Sequence, residues 1–306
     1  MQIAIVGAGA IGCLFGLSLQ RSGQSVLLVH HSKRIVASMK KNGVTLRTLT
    51  GKTVRVRMEV ASALSNRDAP DLILLTVKSY DTWKVASGLR NTRNDPPVLS
   101  LQNGFGNIEA LSRFIPKERI LAGSTTESAL LTGPGVLTHT GKGETWIGEL
   151  HGKKTHRVNL FKRAFQNAGF STHSSSRIEG VVWSKAVVNC VINPITAVAH
   201  VANGELLRNS NLRAVGLKML TEAMEVAKAS GVALSPEPSG LLFHVLKKTE
   251  RNKSSMLRDL ELRRMTEIRQ LNGWIVKRGR LTGVRTPYNS LVTELVLGLE
   301  KVQRRL

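Results

Sequence analysis

Residues 1–34 read MQIAIVGAGAIGCLFGLSLQRSGQSVLLVHHSKR, and this stretch decides how the first half of the chain folds. An apolar run at 3–6 is followed by Gly7-Ala8-Gly9-Ala10-Ile11-Gly12. Leu14, Phe15, Leu17 and Leu19 then give a largely apolar helical segment that Gly23 ends, and a second apolar run occupies 26–29. Strand, glycine turn, helix and strand within about thirty residues is the setting in which G-x-G-x-x-G signals a dinucleotide. In that reading Gly7 permits the tight turn, Gly9 lets a pyrophosphate approach the backbone, and Gly12 lets helix and strand pack closely. The helix start offers unpaired N–H groups to the phosphates. Gly7, Ala8, Gly9, Ala10, Ile11 and Gly12 are the expected cofactor contacts.

The end of the second strand discriminates between NAD and NADP. An acidic residue there holds the ribose hydroxyls of NAD. Here the sequence is Val29-His30-His31-Ser32-Lys33-Arg34, and no acidic residue occurs before Glu59. A carboxylate would repel the extra phosphate of NADP, whereas Lys33 and Arg34 attract it. The expected cofactor is NADPH/NADP, with His31, Lys33 and Arg34 as candidate contacts. An exposed basic loop accounts for any one of the three equally well.

Further along, 71–77 (DLILLTV) and 98–101 read as buried parallel strands ending in Lys78-Ser79-Tyr80 and Gln102-Asn103-Gly104. Ligands of doubly wound sheets bind beyond the carboxyl ends of the strands. Lys78 and Asn103 are therefore placed to face a cofactor or substrate, or else they cap a loop. Residues 121–147 look like hairpin strands with turns at Gly133-Pro134-Gly135 and Gly141-Lys142-Gly143. A helix over 156–167 and a short strand over 169–173 complete the domain. The boundary falls in Ser174-Ser175-Ser176, giving domains 1–175 and 176–306.

From residue 178 the pattern is helical. Segments 180–192, 211–229 and 256–277 carry apolar residues at three- and four-residue spacing. In the first of these, Lys185 and Asn189 share a face, and Asn193 continues it beside Pro194, which is expected to end the helix. A lysine and two amides among Ala, Val, Cys and Ile form an odd stripe for a plain core helix. A partly desolvated lysine there has a lowered pKa and can serve as a proton donor. On spacing alone, a surface lysine with solvated asparagines fits as well.

Composition bounds the rest. With 306 residues and 42% hydrophobic content the chain can build two cores. No run of about 18 apolar residues occurs, and the N-terminus begins a strand at once, so neither a membrane span nor a secretory signal is expected. Only Cys13 and Cys190 are present, without metal-like or disulfide spacing, which fits a reducing cytoplasm. Both read as small buried residues rather than catalytic thiols. The net charge of +23 would attract anions: a phosphorylated cofactor, a carboxylate substrate or nucleic acid. The basic residues are spread along the chain, however, and aromatic content is only 4%, which argues against a base-stacking surface.

Several segments, in order, resemble the ketopantoate reductase family. They are LQNGFGNIEAL from Leu101, WSKAVVNCVINPITA from Trp183, Asn203-Gly204-Glu205-Leu206, Asn252-Lys253-Ser254-Ser255-Met256-Leu257-Arg258-Asp259, Thr266-Glu267-Ile268 and Leu271-Asn272-Gly273. With the glycine motif they span the whole chain. The resemblance implies an α/β fold with an N-terminal Rossmann-type dinucleotide-binding domain and a C-terminal all-helical domain for substrate and dimerisation. It implies NADPH-dependent reduction of 2-dehydropantoate (ketopantoate) to pantoate, on the route to pantothenate and coenzyme A. Lys185 falls at the family's general-acid position and Lys78 at a cofactor-contacting lysine. Asn103, Asn189, Asn193, Asn252 and Ser255 match polar substrate-pocket positions, and Glu267 matches the carboxylate that holds the substrate hydroxyl. The departure is His31, where members commonly carry arginine for the extra phosphate; Lys33 or Arg34 is left to take that part.

Ser255 and Glu267 are twelve residues apart, about 18 Å along an unbroken helix. A molecule as small as ketopantoate reaches both only if the helix begins after Ser255, with the preceding loop folded back. Two rival readings stand beside the main one. One is a related reductase of another 2-keto acid or imine. The other is a basic nucleotide- or nucleic-acid-binding protein without catalysis, against which the Lys185 and Glu267 pair argues. The expected partner is a small 2-keto acid, and the expected assembly a homodimer.

Overall fold

A computed structural model describes residues 1–65, 68–90 and 92–303. The chain forms two compact units. One comprises Met1–Asn103 with Asn107–Ile178, and the other Gly104–Gly106 with Glu179–Leu306.

The first unit runs β1 (Gln2–Val6), α1 (Ala10–Arg21), β2 (Ser25–Val29), α2 (Lys33–Asn42), β3 (Val44–Arg47), β4 (Thr53–Val56), β5 (Glu59–Ala61), β6 (Leu72–Leu75) and α3 (Thr82–Leu89). It continues through β7 (Val98–Ser100), α4 (Asn107–Leu111), β8 (Ile120–Thr125), β9 (Ser128–Gly133), β10 (Val136–Gly141), β11 (Glu144–Glu149), α5 (His156–Asn167) and β12 (Ser171–Ser174). The main sheet has the order β12-β11-β8-β7-β6-β1-β2-β5. From β8 to β5 all neighbours are parallel. The chain winds outward from β1 to β2 and β5, then crosses back to β6 beside β1 and winds the other way. The carboxyl ends of β1 and β6 therefore open a crevice at the switch point. The expected hairpin strands are β8 to β11, and the expected helix and strand after them are α5 and β12.

The pleat divides the buried residues between two faces. Ile3, Ile5, Leu72, Leu74, Leu99 and Leu121 face the core formed with α1 and α5. Their neighbours Ala4, Val6, Ile73, Leu75, Val98 and Ile120 face a second core with α3 and α4. A small sheet, β4-β3-β10-β9, adds Val44, Leu46 and Leu137 to the first core. This sheet had no counterpart among the sequence expectations apart from the β9–β10 hairpin.

The second unit is helical: α6 (Ile178–Ala199), α7 (Glu205–Arg208), α8 (Ser210–Ala229), α9 (Pro238–Lys248), α10 (Ser255–Glu261), α11 (Asn272–Thr282) and α12 (Pro287–Gln303). Its core gathers Val187, Val191, Ile195, Met219, Ala223, Leu246, Leu257, Ile275 and Val296. Two expectations are corrected here. Pro194 does not end α6, which continues five residues further to Ala199. A helix tolerates an internal proline when the carbonyl it orphans finds another donor. The carbonyl of Cys190, four residues back, accepts from the side chain of Asn272 at 2.8 Å.

The second correction concerns 256–277, which is not one helix. It breaks after Glu261, and a short 3-10 turn at Ile268–Gln270 precedes α11. Arg263 adopts a left-handed φ of 53°. Its N–H and that of Arg264 bond back to the carbonyls of Leu260 and Asp259, closing a Schellman motif with arginine where glycine is usual. By length and composition alone α6 would also pass for a membrane-crossing helix, because Lys185, Asn189 and Asn193 interrupt its apolar run without lowering the average sufficiently. Most of it is buried, as a core helix is.

The glycine turn separates two kinds of glycine. A Cβ on Gly12 would lie 2.1 Å from the Gly7 carbonyl oxygen and 2.7 Å from Thr76 Oγ1. A Cβ on Gly9 would meet nothing nearer than 4.0 Å. Gly12→Ala is expected to destabilise the first unit by about 1–3 kcal/mol through overpacking against backbone. Gly9→Ala is expected to leave stability within about 0.5 kcal/mol. Urea unfolding of both variants checks the contrast, and equal losses would contradict it.

Candidate active site

In the first unit the turn after β1 is stitched to both neighbouring strands. The amides of Gly7 and Ala8 donate to the Val29 carbonyl at 3.0 and 3.1 Å. Thr76 Oγ1, just beyond β6, donates to the Gly7 carbonyl at 2.8 Å. Gly7 has φ +113°, a conformation that excludes other residues, and a Cβ there would sit 2.5 Å from the Val77 nitrogen. Gly9 caps α1 with no side chain of its own. The amides of Ala10, Ile11 and Gly12 thus begin a helix whose N-terminal partial positive charge has no side-chain cap among the described residues. The open space above Gly9 and this bare helix start fit a pyrophosphate. Ala8 and Gly12 are buried, with Ala10 and Ile11 partly exposed beside them.

At the end of β2 the His30 and His31 rings stack at 4.7 Å. His30 Nδ1 accepts from the Ser32 amide at 3.1 Å, and burial together with the neighbouring His31 lowers the His30 pKa. Ser32 caps α2, accepting from the Ile35 amide. His31, Lys33 and Arg34 are all exposed around that helix start. Cations at a helix N-terminus oppose its dipole. Their placement gains nothing for α2 and suits an external anion.

Lys78 follows β6 and Asn103 follows β7, both half-buried. Between them lies a buried network that the sequence reading passed over. Gln102 Nε2 donates to Thr82 Oγ1 at 2.7 Å and to the Val77 carbonyl at 3.1 Å. Thr82 donates to Asn107 Oδ1, and Asn107 Nδ2 donates to the Asn103 carbonyl at 2.9 Å. This network fixes the backbone on either side of Lys78 and Asn103. Its signal in the sequence was a glutamine directly after an apolar strand. Buried Glu127, just beyond β8, was passed over too; it pairs with His139 at 2.7 Å and accepts from the Gly143 amide.

In the second unit Lys185, Asn189 and Asn193 occupy one face of α6 at four-residue steps. Burial lowers the Lys185 pKa to about 8, and the charge of Glu267 acts in the opposite direction. Asn193 Nδ2 donates to Ser255 Oγ at 3.5 Å, a contact across 62 residues of sequence. It forms because Ser254 caps α10 while lying 2.7 Å from Thr196 Oγ1, one turn beyond Asn193. Ser255 is the first residue of α10, so the helix does not begin after it as the span argument required. The break after Glu261 is what frees Glu267 from the far end of a straight helix.

Glu267 is only 5% exposed. Its loop is tied down by Glu300 of α12, whose Oε1 accepts from the Thr266 amide at 2.8 Å and from the Thr266 hydroxyl at 2.6 Å. Asn252 takes part through its backbone, its carbonyl accepting from the Asn203 amide at 2.9 Å. Asn203 is itself buried, and its Oδ1 has no partner among the described residues. The unit also contains a ring cluster from three segments, with Phe105 stacked on Trp274 at 4.6 Å and edge-on to Trp183 at 4.9 Å.

Burial raises the pKa of both Cys13 and Cys190, as their reading as inert packing residues requires. The described residues contain no cluster of His, Cys, Asp and Glu able to hold a metal. What the second unit offers is a lysine poised to exchange a proton, a buried carboxylate, and amide and hydroxyl donors nearby.

Residues 3–152 match the family model described as ketopantoate reductase PanE/ApbA, and residues 177–300 match that of its C-terminal part. A 2-dehydropantoate 2-reductase of Pyrococcus abyssi is 34% identical, with 99% of each chain covered. A ketopantoate reductase structure from Ralstonia eutropha JMP134 superposes with a TM-score of 0.91 at 31% identity, covering 99% of this chain and 100% of that one. The ternary structure of D-mandelate dehydrogenase with NADH and anilino(oxo)acetate gives 0.94 at 30% identity, with 99% of each chain covered. The chain belongs to the ketopantoate reductase family.

Proposed function

We propose that this protein reduces the 2-keto group of 2-dehydropantoate, using NADPH. The observation that carries the reading is the second unit's polar group: Lys185 with a pKa lowered to about 8, under the charge of buried Glu267, on the same helix face as Asn189 and Asn193. When bound, the reduced nicotinamide supplies the hydride. The bare glycine turn at residues 7–12 would hold its pyrophosphate, with His31, Lys33 and Arg34 at the extra phosphate and Lys78 and Asn103 at the strand ends.

Reduction of a ketone places negative charge on its oxygen, which needs a proton from a nearby acid. Lys185 is that acid. An amine titrating near pH 8 is protonated at neutral pH and gives up its proton far more readily than an ordinary lysine. Asn193 and Ser255 offer donors for the substrate carboxylate, joined by Asn189 and Asn252. Glu267 accepts from the substrate hydroxyl and keeps Lys185 protonated until the proton is needed. A buried carboxylate left without its hydroxyl partner is costly, so keto acids lacking the hydroxyl bind poorly.

A second reading is favoured by one observation, the likeness to a D-mandelate dehydrogenase crystallised with NADH. Under it the substrate is an aryl 2-keto acid and the cofactor NADH. In either case, two buried free thiols support a reducing, cytoplasmic setting. Exposed Leu291, Leu295 and Val302 along α12 support a homodimer.

Cofactor oxidation with each keto acid and each cofactor distinguishes the readings. The expected result is a higher kcat/KM for ketopantoate with NADPH, the NADPH advantage shrinking as ionic strength rises. A higher value for an aryl 2-keto acid with NADH would establish the second reading instead. Gly9→Ala should weaken cofactor binding without loss of stability.

Lys185→Ala is expected to lose about 10²–10⁴ in kcat while binding NADPH normally by fluorescence. Wild-type activity should fall as pH rises through about 8, where Lys185 deprotonates. Glu267 raises that pKa, so Glu267→Gln should move the fall to lower pH. Single-turnover hydride transfer within a few-fold of wild type in Lys185→Ala would show that the acid lies elsewhere.

A further inference from the structure

Pro194 stands inside α6 with no N–H to give, so the Cys190 carbonyl lacks its helical partner. That carbonyl accepts instead from Asn272 Nδ2 at 2.8 Å, across 82 residues of sequence. The same Nδ2 donates to Asn289 Oδ1 at 2.9 Å. Asn289 cannot be turned the other way round, because its Nδ2 donates to the Met219 carbonyl at 3.0 Å and to Glu222 Oε2 at 2.7 Å. Glu222 in turn accepts from the amides of Tyr288 and Asn289 at 2.8 and 2.9 Å, which anchors the start of α12. Asn272 and Asn289 are fully buried and Glu222 nearly so. The network joins α8, α11 and α12 to a single point on α6, the carbonyl that the proline orphans.

Stability alone does not call for this arrangement. Any residue with an N–H at 194 would close the helical bond itself. Asn272 also leaves its buried Oδ1 without a partner among the described residues, a cost that an apolar side chain would avoid. What proline and asparagine achieve together is an opened helical bond held at a fixed point by α11. It falls between Lys185 and Asn189 on one side and the turn containing Asn193 and Thr196 on the other, the turn that meets Ser254 and Ser255.

We propose that Asn272 is a positioning residue, supplying from α11 the hydrogen-bond donor that Pro194 lacks and so holding Asn193 and Ser255 in register with Lys185. This rests on the reading of α6 as the helix that carries the proton donor.

The test is a cycle of Pro194→Ala, Asn272→Ala and the double variant, read by thermal midpoint, by cofactor Kd and by KM for the keto acid. Asn272→Ala should lower the midpoint at least twice as far in the wild-type background as in the Pro194→Ala background, where the alanine N–H takes over the Cys190 carbonyl. In the wild-type background it should raise KM at least about tenfold, since small misplacements in a site are costly, with cofactor Kd unchanged. An equal fall in midpoint in both backgrounds overturns the proposal, and so does an unchanged KM. Should Asn272→Ala not fold, Asn272→Leu keeps the size but offers no donor to the carbonyl, and the same outcomes apply. If wild type turns over no keto acid the functional reading fails, while the thermal coupling still decides whether Asn272 serves Pro194.

Discussion

An ammonium group taken out of water must be compensated or it loses its proton, and the second unit is arranged around that constraint at Lys185. Burial drives its pKa down, and Glu267 holds it from falling further. The two opposing effects leave an amine that is charged at neutral pH and a readier acid than a solvated lysine. Glu267 can act on Lys185 only because the chain breaks between α10 and α11, and because Glu300 grips Thr266 beside it. Moving the carboxylate away would leave an uncompensated buried cation, and moving the lysine into water would restore an ordinary, poorly donating amine. The loop geometry thus helps set the Lys185 pKa.

Parts of this were legible in the sequence and parts were not, for identifiable reasons. Periodicity and glycine placement are local, so β1, α1, β2, the β8–β11 strands and α5 could be read directly. The polar row Lys185, Asn189 and Asn193 was legible because four-residue spacing fixes a helix face whatever surrounds it. The break after Glu261 was hidden, since its Schellman motif uses Arg263 in a left-handed conformation and carries no glycine or proline to announce it. The continuation of α6 past Pro194 was hidden for the opposite reason. A proline signals a stop, and what overrides it here is Asn272, far away in sequence. Contacts such as Asn193 with Ser255 depend on tertiary packing and have no local signature. The family resemblance supplied roles for these residues without supplying the geometry that brings them together.

The first unit shows the same division between backbone requirement and ligand requirement. Gly7 and Gly12 are demanded by the turn itself, whereas the backbone at Gly9 would accept a side chain and the space above it is open. The basic residues at the start of α2 likewise oppose the helix dipole, so their placement makes sense through a bound anion rather than through the fold. The same fold occurs in a D-mandelate dehydrogenase whose ternary structure contains NADH and anilino(oxo)acetate, and a fold by itself does not fix substrate or cofactor. Under the proposed function the cofactor choice rests on His31, Lys33 and Arg34, and the substrate choice on Glu267.

The central claim is that the Lys185 amine is the poised acid. The most direct measurement is its own titration, followed by the ¹⁵N resonance of the ammonium in lysine-labelled protein and assigned with Lys185→Ala. A midpoint near pH 8 is expected. A midpoint at the ordinary lysine value of about 10.4 would contradict it, because the amine would then be neither desolvated nor poised to donate.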